Sequence, residues 1–195
     1  MTRRRFLQMA VFGPIGAIRL GGSVRAQGLD RFTSGGAPCK DEKPTPAVPD
    51  DRTYRQDAPE RRVLAGRDVA GRRLTISGTV GGVVCGPIKG ARVDFWQADA
   101  SSKAEAAGTQ LRGYQLTDAD GRYRVETVVP AATAGRARHI NARVQATGKP
   151  HLTTALYFPD DPANGRDPAF RPELVMKVVP AGSDLTATFN FVLDA

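Results

Sequence analysis

The residues best placed to do chemistry in this 195-residue chain lie in one short run, Arg136-Ala137-Arg138-His139. A histidine titrates near neutrality and can act as a general base. Guanidinium groups receive carboxylate or phenolate oxygens, or pair with Asp and Glu where no ligand comes. Glu105 and Tyr114 are candidates to join them, in metal-free acid–base work or in a His-plus-carboxylate site for a divalent metal. The other histidine, His151, precedes a strand without a spaced partner and reads as a surface or interface residue. Asp160, Asp161, Asn164 and Asp167 could suggest calcium, but their spacing lacks the EF-hand pattern and reads as a solvated acidic loop. Asp94 beside Arg92 or Arg112 reads as an ion pair worth at most about 1 kcal/mol if exposed.

The wider pattern around that run is more specific. Pro130 to Asn141 reads P-A-A-T-A-G-R-A-R-H-I-N. Upstream stand Cys85-Gly86-Pro87-Ile88-Lys89-Gly90-Ala91-Arg92-Val93-Asp94-Phe95-Trp96-Gln97-Ala98-Asp99-Ala100 and Leu111-Arg112-Gly113-Tyr114-Gln115; downstream is Leu152-Thr153-Thr154-Ala155-Leu156-Tyr157-Phe158. In this order the segments resemble the intradiol ring-cleavage dioxygenases, which open catechols with a non-haem ferric ion. The resemblance spans roughly Cys39 to the C-terminus.

That resemblance implies a ligand set of two tyrosinates and two histidines. Phenolate oxygens suit the hard ferric state, and imidazoles complete a site that still admits a catecholate. Carried onto this chain, the tyrosine positions fall on Ala104 and Thr133, and the histidine positions on His139 and Asn141. One metal ligand, His139, remains. The substrate-side arginine falls on Arg136, and Ala155 replaces a glutamine. The His-Ile-Asn pattern is similar to the non-catalytic α-type chain of protocatechuate dioxygenase, although Ala104 departs even from that chain. The resemblance therefore implies a kept scaffold and a lost iron site. The expected catalytic pair, if any chemistry survives, is His139 and Arg136, and the expected ligand contacts are Arg136 and Tyr114.

The elements that must position these residues are strands. Leu74 to Val80 and Ala91 to Trp96 alternate apolar and polar residues. Gly81-Gly82 and Gly86-Pro87 punctuate the turn between them, which predicts a first core hairpin. Asp118-Ala119-Asp120-Gly121 signals a turn from which Tyr123 to Val128 leaves as a strand. Further strands are expected at His139–Val144, Leu152–Phe158, Leu174–Val178 and Leu185–Leu193. On alternation, one of Phe95 and Trp96 is core and the other an interface or pocket wall. Ala100 to Ala107 and Asp160 to Pro172 read as loops. The expected class is all-β: an intradiol-dioxygenase-like antiparallel β-sandwich over residues 71–195. Residues 27–70, rich in Pro, Gly, Asp and Arg, predict an extended N-terminal arm.

Residues 1–26 carry Arg3, Arg4, Arg5, Arg19 and Arg25 and no acid. Thr2-Arg3-Arg4-Arg5-Phe6-Leu7-Gln8 resembles a twin-arginine export motif, followed by an apolar stretch too short and broken to span a bilayer. The expectation is export to a periplasmic or extracellular space, with no membrane anchor. The whole chain is +8, but 28 basic residues less those five leaves 23 against 20 acidic. With only about +3 remaining and no basic stripe carrying aromatics, nucleic-acid binding is set aside. Cys39 and Cys85 suit an oxidising compartment and a disulfide, which would contribute about 4 kcal/mol by loop closure, against the alternative of two free thiols.

The leading functional expectation is a degenerate intradiol-type protein without ferric catechol cleavage, acting as a partner subunit or as a binder of a small aromatic ligand. Its partners would be further copies of itself or a paralogous intradiol dioxygenase subunit. No cofactor is expected; iron would enter only if the loss of the site is misread. One alternative is an active enzyme, intradiol-type or metal-free, centred on His139 and Arg136. Another is a transthyretin-like binding module, since such sandwiches share these turns without an active site.

Overall fold

The computed structural model describes residues 43–49, 52–84, 86–102, 110–133 and 135–194. The export segment, Cys39, Cys85, Ala104 and Glu105 lie outside the described residues. Among the described residues nine strands form two sheets: β1 (Arg73–Gly82), β2 (Arg92–Trp96), β3 (Arg112–Leu116), β4 (Arg122–Val128), β5 (His139–Gln145), β6 (Leu152–Tyr157), β7 (Lys177–Ala181), β8 (Asp184–Thr188) and β9 (Phe191–Leu193). One sheet runs β4-β1-β8-β7 with β9 also on β1; the other runs β3-β2-β5-β6. Two 3-10 turns, Asn164–Arg166 and Pro172–Leu174, are the helical elements among the described residues. No described helix is long and apolar enough to cross a membrane.

Alternation explains how the sheets face each other. Leu74, Ile76 and Val80 of β1 point inward with Tyr123 and Val125 of β4. Val93 and Phe95 of β2 meet them with Ile140, Ala142 and Val144 of β5 and Leu156 of β6. Period 2 then turns Trp96, His139, Asn141 and Arg143 to the outer face of the β3-β2-β5-β6 sheet, and the register places Trp96 opposite Asn141. Of the pair at issue, Phe95 is core, and Trp96 packs against Tyr54 of the arm.

Three local expectations are corrected. β1 and β2 do not form a hairpin, because they belong to different sheets. The Asp118–Gly121 turn likewise carries the chain from β3 in one sheet to β4 in the other. Turn residues report a reversal of direction, while the choice of sheet is made by the long pairing of β4 along β1, from Arg73↔Val128 to Thr79↔Arg122. The expected Leu185–Leu193 strand is interrupted between β8 and β9. There Phe189 N donates to Ser77 O and the Asn190 side chain accepts from Thr79 N, while Tyr123 Oη donates to Phe189 O at 2.8 Å. Gly78 permits this approach: a Cβ at that position would lie 1.6 Å from Phe189 O. β8 and β9 run parallel to β1, the exceptions in a sandwich otherwise paired antiparallel between its named strands.

The described arm residues wrap sheet edges without forming a strand. Val48 N donates to Thr153 O, Arg61 N to Tyr114 O and Leu64 N to Glu126 O. Leu64 is buried in the main core. The arm thus covers the outer edges of β6, β3 and β4, where unpaired strand groups would otherwise stand open.

Candidate functional site

A cleft of about 480 Å³ opens on the outer face of the β3-β2-β5-β6 sheet. β5 supplies His139 and Asn141, the end of β2 leads to Gln97 and Ala98, and the segment before β5 gives Ala131, Thr133 and Arg136. The loop ahead of β7 closes one side with Pro168, Ala169 and Arg171, and the arm adds Pro49 and Thr53. Thr53 is tethered through its carbonyl, which accepts from Arg112 Nη1 at 2.9 Å. Tyr54 holds the arm beside it, with the Arg143 guanidinium 3.6 Å from its ring centroid.

The floor is cross-linked by hydrogen bonds, and its Arg136 charge is paired. His139 is buried, and its Nδ1 lies 2.7 Å from Ala137 O. A carbonyl only accepts, so Nδ1 carries a proton, and in the neutral ring the lone pair falls on Nε2. Arg136 Nε donates to both oxygens of Asp167 at 2.9 Å, and its Nη2 donates to Tyr157 Oη at 2.9 Å. Asp167 also accepts from the backbone N–H of Ala137 and Ala169. Burial alone would raise its carboxyl, but the Ala169 N–H, Arg136 and the Ala137 N–H outweigh it and hold the carboxyl below the usual carboxylate range. For Arg136, burial opposes the charge, and the bonds to Tyr157 and Asp167 more than offset it. Burial pushes the Tyr157 phenol up, with Arg136 pulling part of the way back. Arg138 makes a parallel pair, its Nε donating to Asp161 Oδ2 at 2.7 Å.

These contacts correct the reading of the acidic loop. Asp161 and Asp167 are buried partners of Arg138 and Arg136, whereas Asp160 remains exposed. Tyr114 is not brought to the cleft. It stands on β3 with the Arg92 guanidinium 3.7 Å over its ring, and its hydroxyl points toward Glu60. Arg92 and Asp94 pair along their own strand through two bonds of 2.8 and 2.7 Å, with the Asp94 side chain buried. Thr133, Arg136, His139 and Asn141 do converge, and the Thr133–Arg136 turn, closed by Arg136 N donating to Thr133 O, aims the segment into the cleft. Ala155 sits buried opposite Asn141. His151 is exposed on a separate groove beside Pro44 and Leu152. Arg171, Gln97 and Thr53 were not foreseen. Arg171 follows a stretch whose composition signals only a loop, so nothing local shows that it folds over the cleft.

A family model described as Dioxygenase matches residues 50–195. The dioxygenase domain of a dioxygenase–carbohydrate-binding protein fusion from Streptomyces sp. SirexAA-E superposes with a TM-score of 0.76 at 43% identity, covering 78% of this chain and 99% of that one. The chain belongs to the intradiol ring-cleavage dioxygenase family. Catechol 1,2-dioxygenase of Acinetobacter baylyi is 29% identical over 158 residues, 66% of this chain and 51% of that protein. The protocatechuate 3,4-dioxygenase beta chain of Burkholderia cepacia is 32% identical over 120 residues, 52% of this chain and 51% of that one. This intradiol-family chain thus spans about half the length of the curated relatives it matches.

The family resemblance implies a ferric ion, and the donors that the described residues bring to this cleft do not fit one. Thr133, His139 and Asn141 offer a hydroxyl, an imidazole and a neutral amide, and among the described residues no carboxylate or tyrosine lines the cleft. Among the described residues no group of three or more His, Cys, Asp or Glu side chains is arranged to hold a metal ion. A hard trivalent cation wants anionic oxygen, and this donor set supplies none.

Proposed function

We propose that this chain is an intradiol-family protein that does not cleave catechols with ferric iron and instead uses the cleft to hold a small aromatic ligand, alone or as the partner of a catalytic relative. The observation that carries this reading is the neutral donor set at Thr133, His139 and Asn141, beneath an intact pocket with small apolar walls. The relatives support the ligand class, since they are named for catechol and protocatechuate. The name of the Burkholderia protein, a beta chain, favours looking for a partner chain. The export-like N-terminus leads us to place the mature chain outside the cytoplasm, where Cys39 and Cys85 can oxidise.

The test is metal analysis of protein purified after iron supplementation, together with oxygen uptake on a catechol panel. The expected result is substoichiometric iron and background oxygen uptake. Stoichiometric ferric iron with a tyrosinate absorption band and ring opening would overturn the proposal.

The enzymatic alternative draws on one feature, the Nδ1 bond to Ala137 O, which in the neutral ring makes Nε2 the basic nitrogen of a histidine that lines the cleft. It requires metal-free turnover that His139→Ala abolishes. Equal background rates for both proteins would remove it.

A further inference from the structure

We infer that the cleft selects ligands carrying a single carboxylate, and that Arg171 reads it. The inference rests on the ligand-binding reading above and adds the chemical class.

The charge count at the cleft is the starting point. Of its cationic residues, Arg136 is neutralised by Asp167, whose side chain is wholly buried behind it. His139 Nδ1 donates to Ala137 O. Arg171 differs from both. Its Nη1 donates to Phe170 O at 2.7 Å and to Pro168 O at 3.2 Å, which pins the side chain to its own loop. Neither partner is charged, and no acidic side chain among the described residues lies within ion-pair distance of it. Nε and Nη2 make no bond to the described protein. Among the described residues, one positive charge therefore stands without a carboxylate partner, at the edge of a slot whose described lining carries no carboxylate.

The walls add shape to that charge. Pro49, Ala98, Ala131, Pro168 and Ala169 are small and apolar, and they suit the faces of a planar ring. A ring in the slot would place polar substituents toward His139 and Asn141 at the floor and a carboxylate toward Arg171. The loop bonds orient the guanidinium beforehand, so little side-chain entropy is lost on binding. A neutral ring of the same size would fill the slot and leave the charge unmatched.

Calorimetric titration of the purified mature chain with benzoate, benzamide and catechol tests this. Benzoate and benzamide have nearly the same shape and differ in charge. Benzoate is expected to bind about tenfold tighter than benzamide, with the gap narrowing at high salt. Arg171→Gln should erase the preference, and Arg171→Lys should keep part of it because the charge remains. If benzamide or catechol binds but benzoate has no advantage, or if Arg171→Gln leaves the advantage intact, the carboxylate assignment fails while the ligand cleft stands. If none of the three probes binds at millimolar concentration, the ligand-binding reading fails and the assignment goes with it.

Discussion

Asp167 lies behind Arg136 with both carboxylate oxygens 2.9 Å from the same Nε, and its side chain is wholly buried. The pair ties the loop ahead of β7 to the segment ahead of β5, and these are two walls of the cleft. Asp167→Asn would leave the Arg136 charge without its partner. A fully buried broken pair costs 3–5 kcal/mol; because Arg136 is partly exposed, the expected loss is about 2–3 kcal/mol. A lowered urea midpoint with an unchanged slope is the expected signature. A midpoint like the wild type's would mean that the pair does not hold the walls.

The same carboxylate sets a direction for acid sensitivity. Asp167 and Asp161 are both held below the usual range in the folded protein, in each case by hydrogen bonds and arginine contacts that outweigh burial. For a group depressed in the folded state, the stabilisation is fully present above the unfolded value, about 3.9, and is lost as pH falls through the folded value. The melting temperature should therefore fall as pH is lowered below about 4. Asp167→Asn should flatten that fall by removing one of the depressed carboxylates. Parallel curves for wild type and variant would assign the acid sensitivity to other carboxylates.

Gly78 offers a test of the fold itself. A methyl group there would meet the Phe189 carbonyl, which is backbone and already bonded to Tyr123. Gly78→Ala should destabilise by at least about 3 kcal/mol, since the link between β8 and β9 at Phe189 must move away from β1 to admit it. Gly135→Ala is the control, because its added Cβ meets nothing within 4 Å and only the positive φ of 74° opposes it. Its cost should be about 1 kcal/mol. Similar costs for both would mean that close approach at Gly78 is not a constraint.

The contrast between these glycines bears on what the chain reveals before folding. The strand positions were legible because inward and outward residues alternate along β1, β2 and β5, and the cleft's Thr133, His139 and Asn141 were legible because they occupy positions of a recognisable motif. Sheet membership was not, since the Asp118–Gly121 turn looks the same whether the next strand joins its neighbour or crosses the sandwich. Asp167 and Arg171 were illegible for a related reason. Their roles depend on a loop folding back against β5, and loop composition records flexibility of conformation without recording a destination. Tyr114 is near the site's motifs in sequence and not in space, because its position opposite Asp94 on β3 puts it beside Arg92.

If the cleft lacks iron because its donors are neutral, restoring anionic and imidazole donors should restore metal affinity. Thr133 and Asn141 both line the cleft with His139, so Thr133→Tyr combined with Asn141→His would add one phenolate and one imidazole on the same walls. That gives three of the four ligands that the family resemblance implies. The double variant, titrated with ferric ion under chelating buffer, should develop a visible tyrosinate-to-iron absorption band, and the wild type should not. Far-ultraviolet circular dichroism guards against misfolding, since both substitutions enlarge side chains beside Ala131 and Arg136. A folded double variant that stays colourless would show that the scaffold, and not only its ligands, has moved away from iron. A wild-type chain that colours under the same titration would show that the native donor set was underestimated.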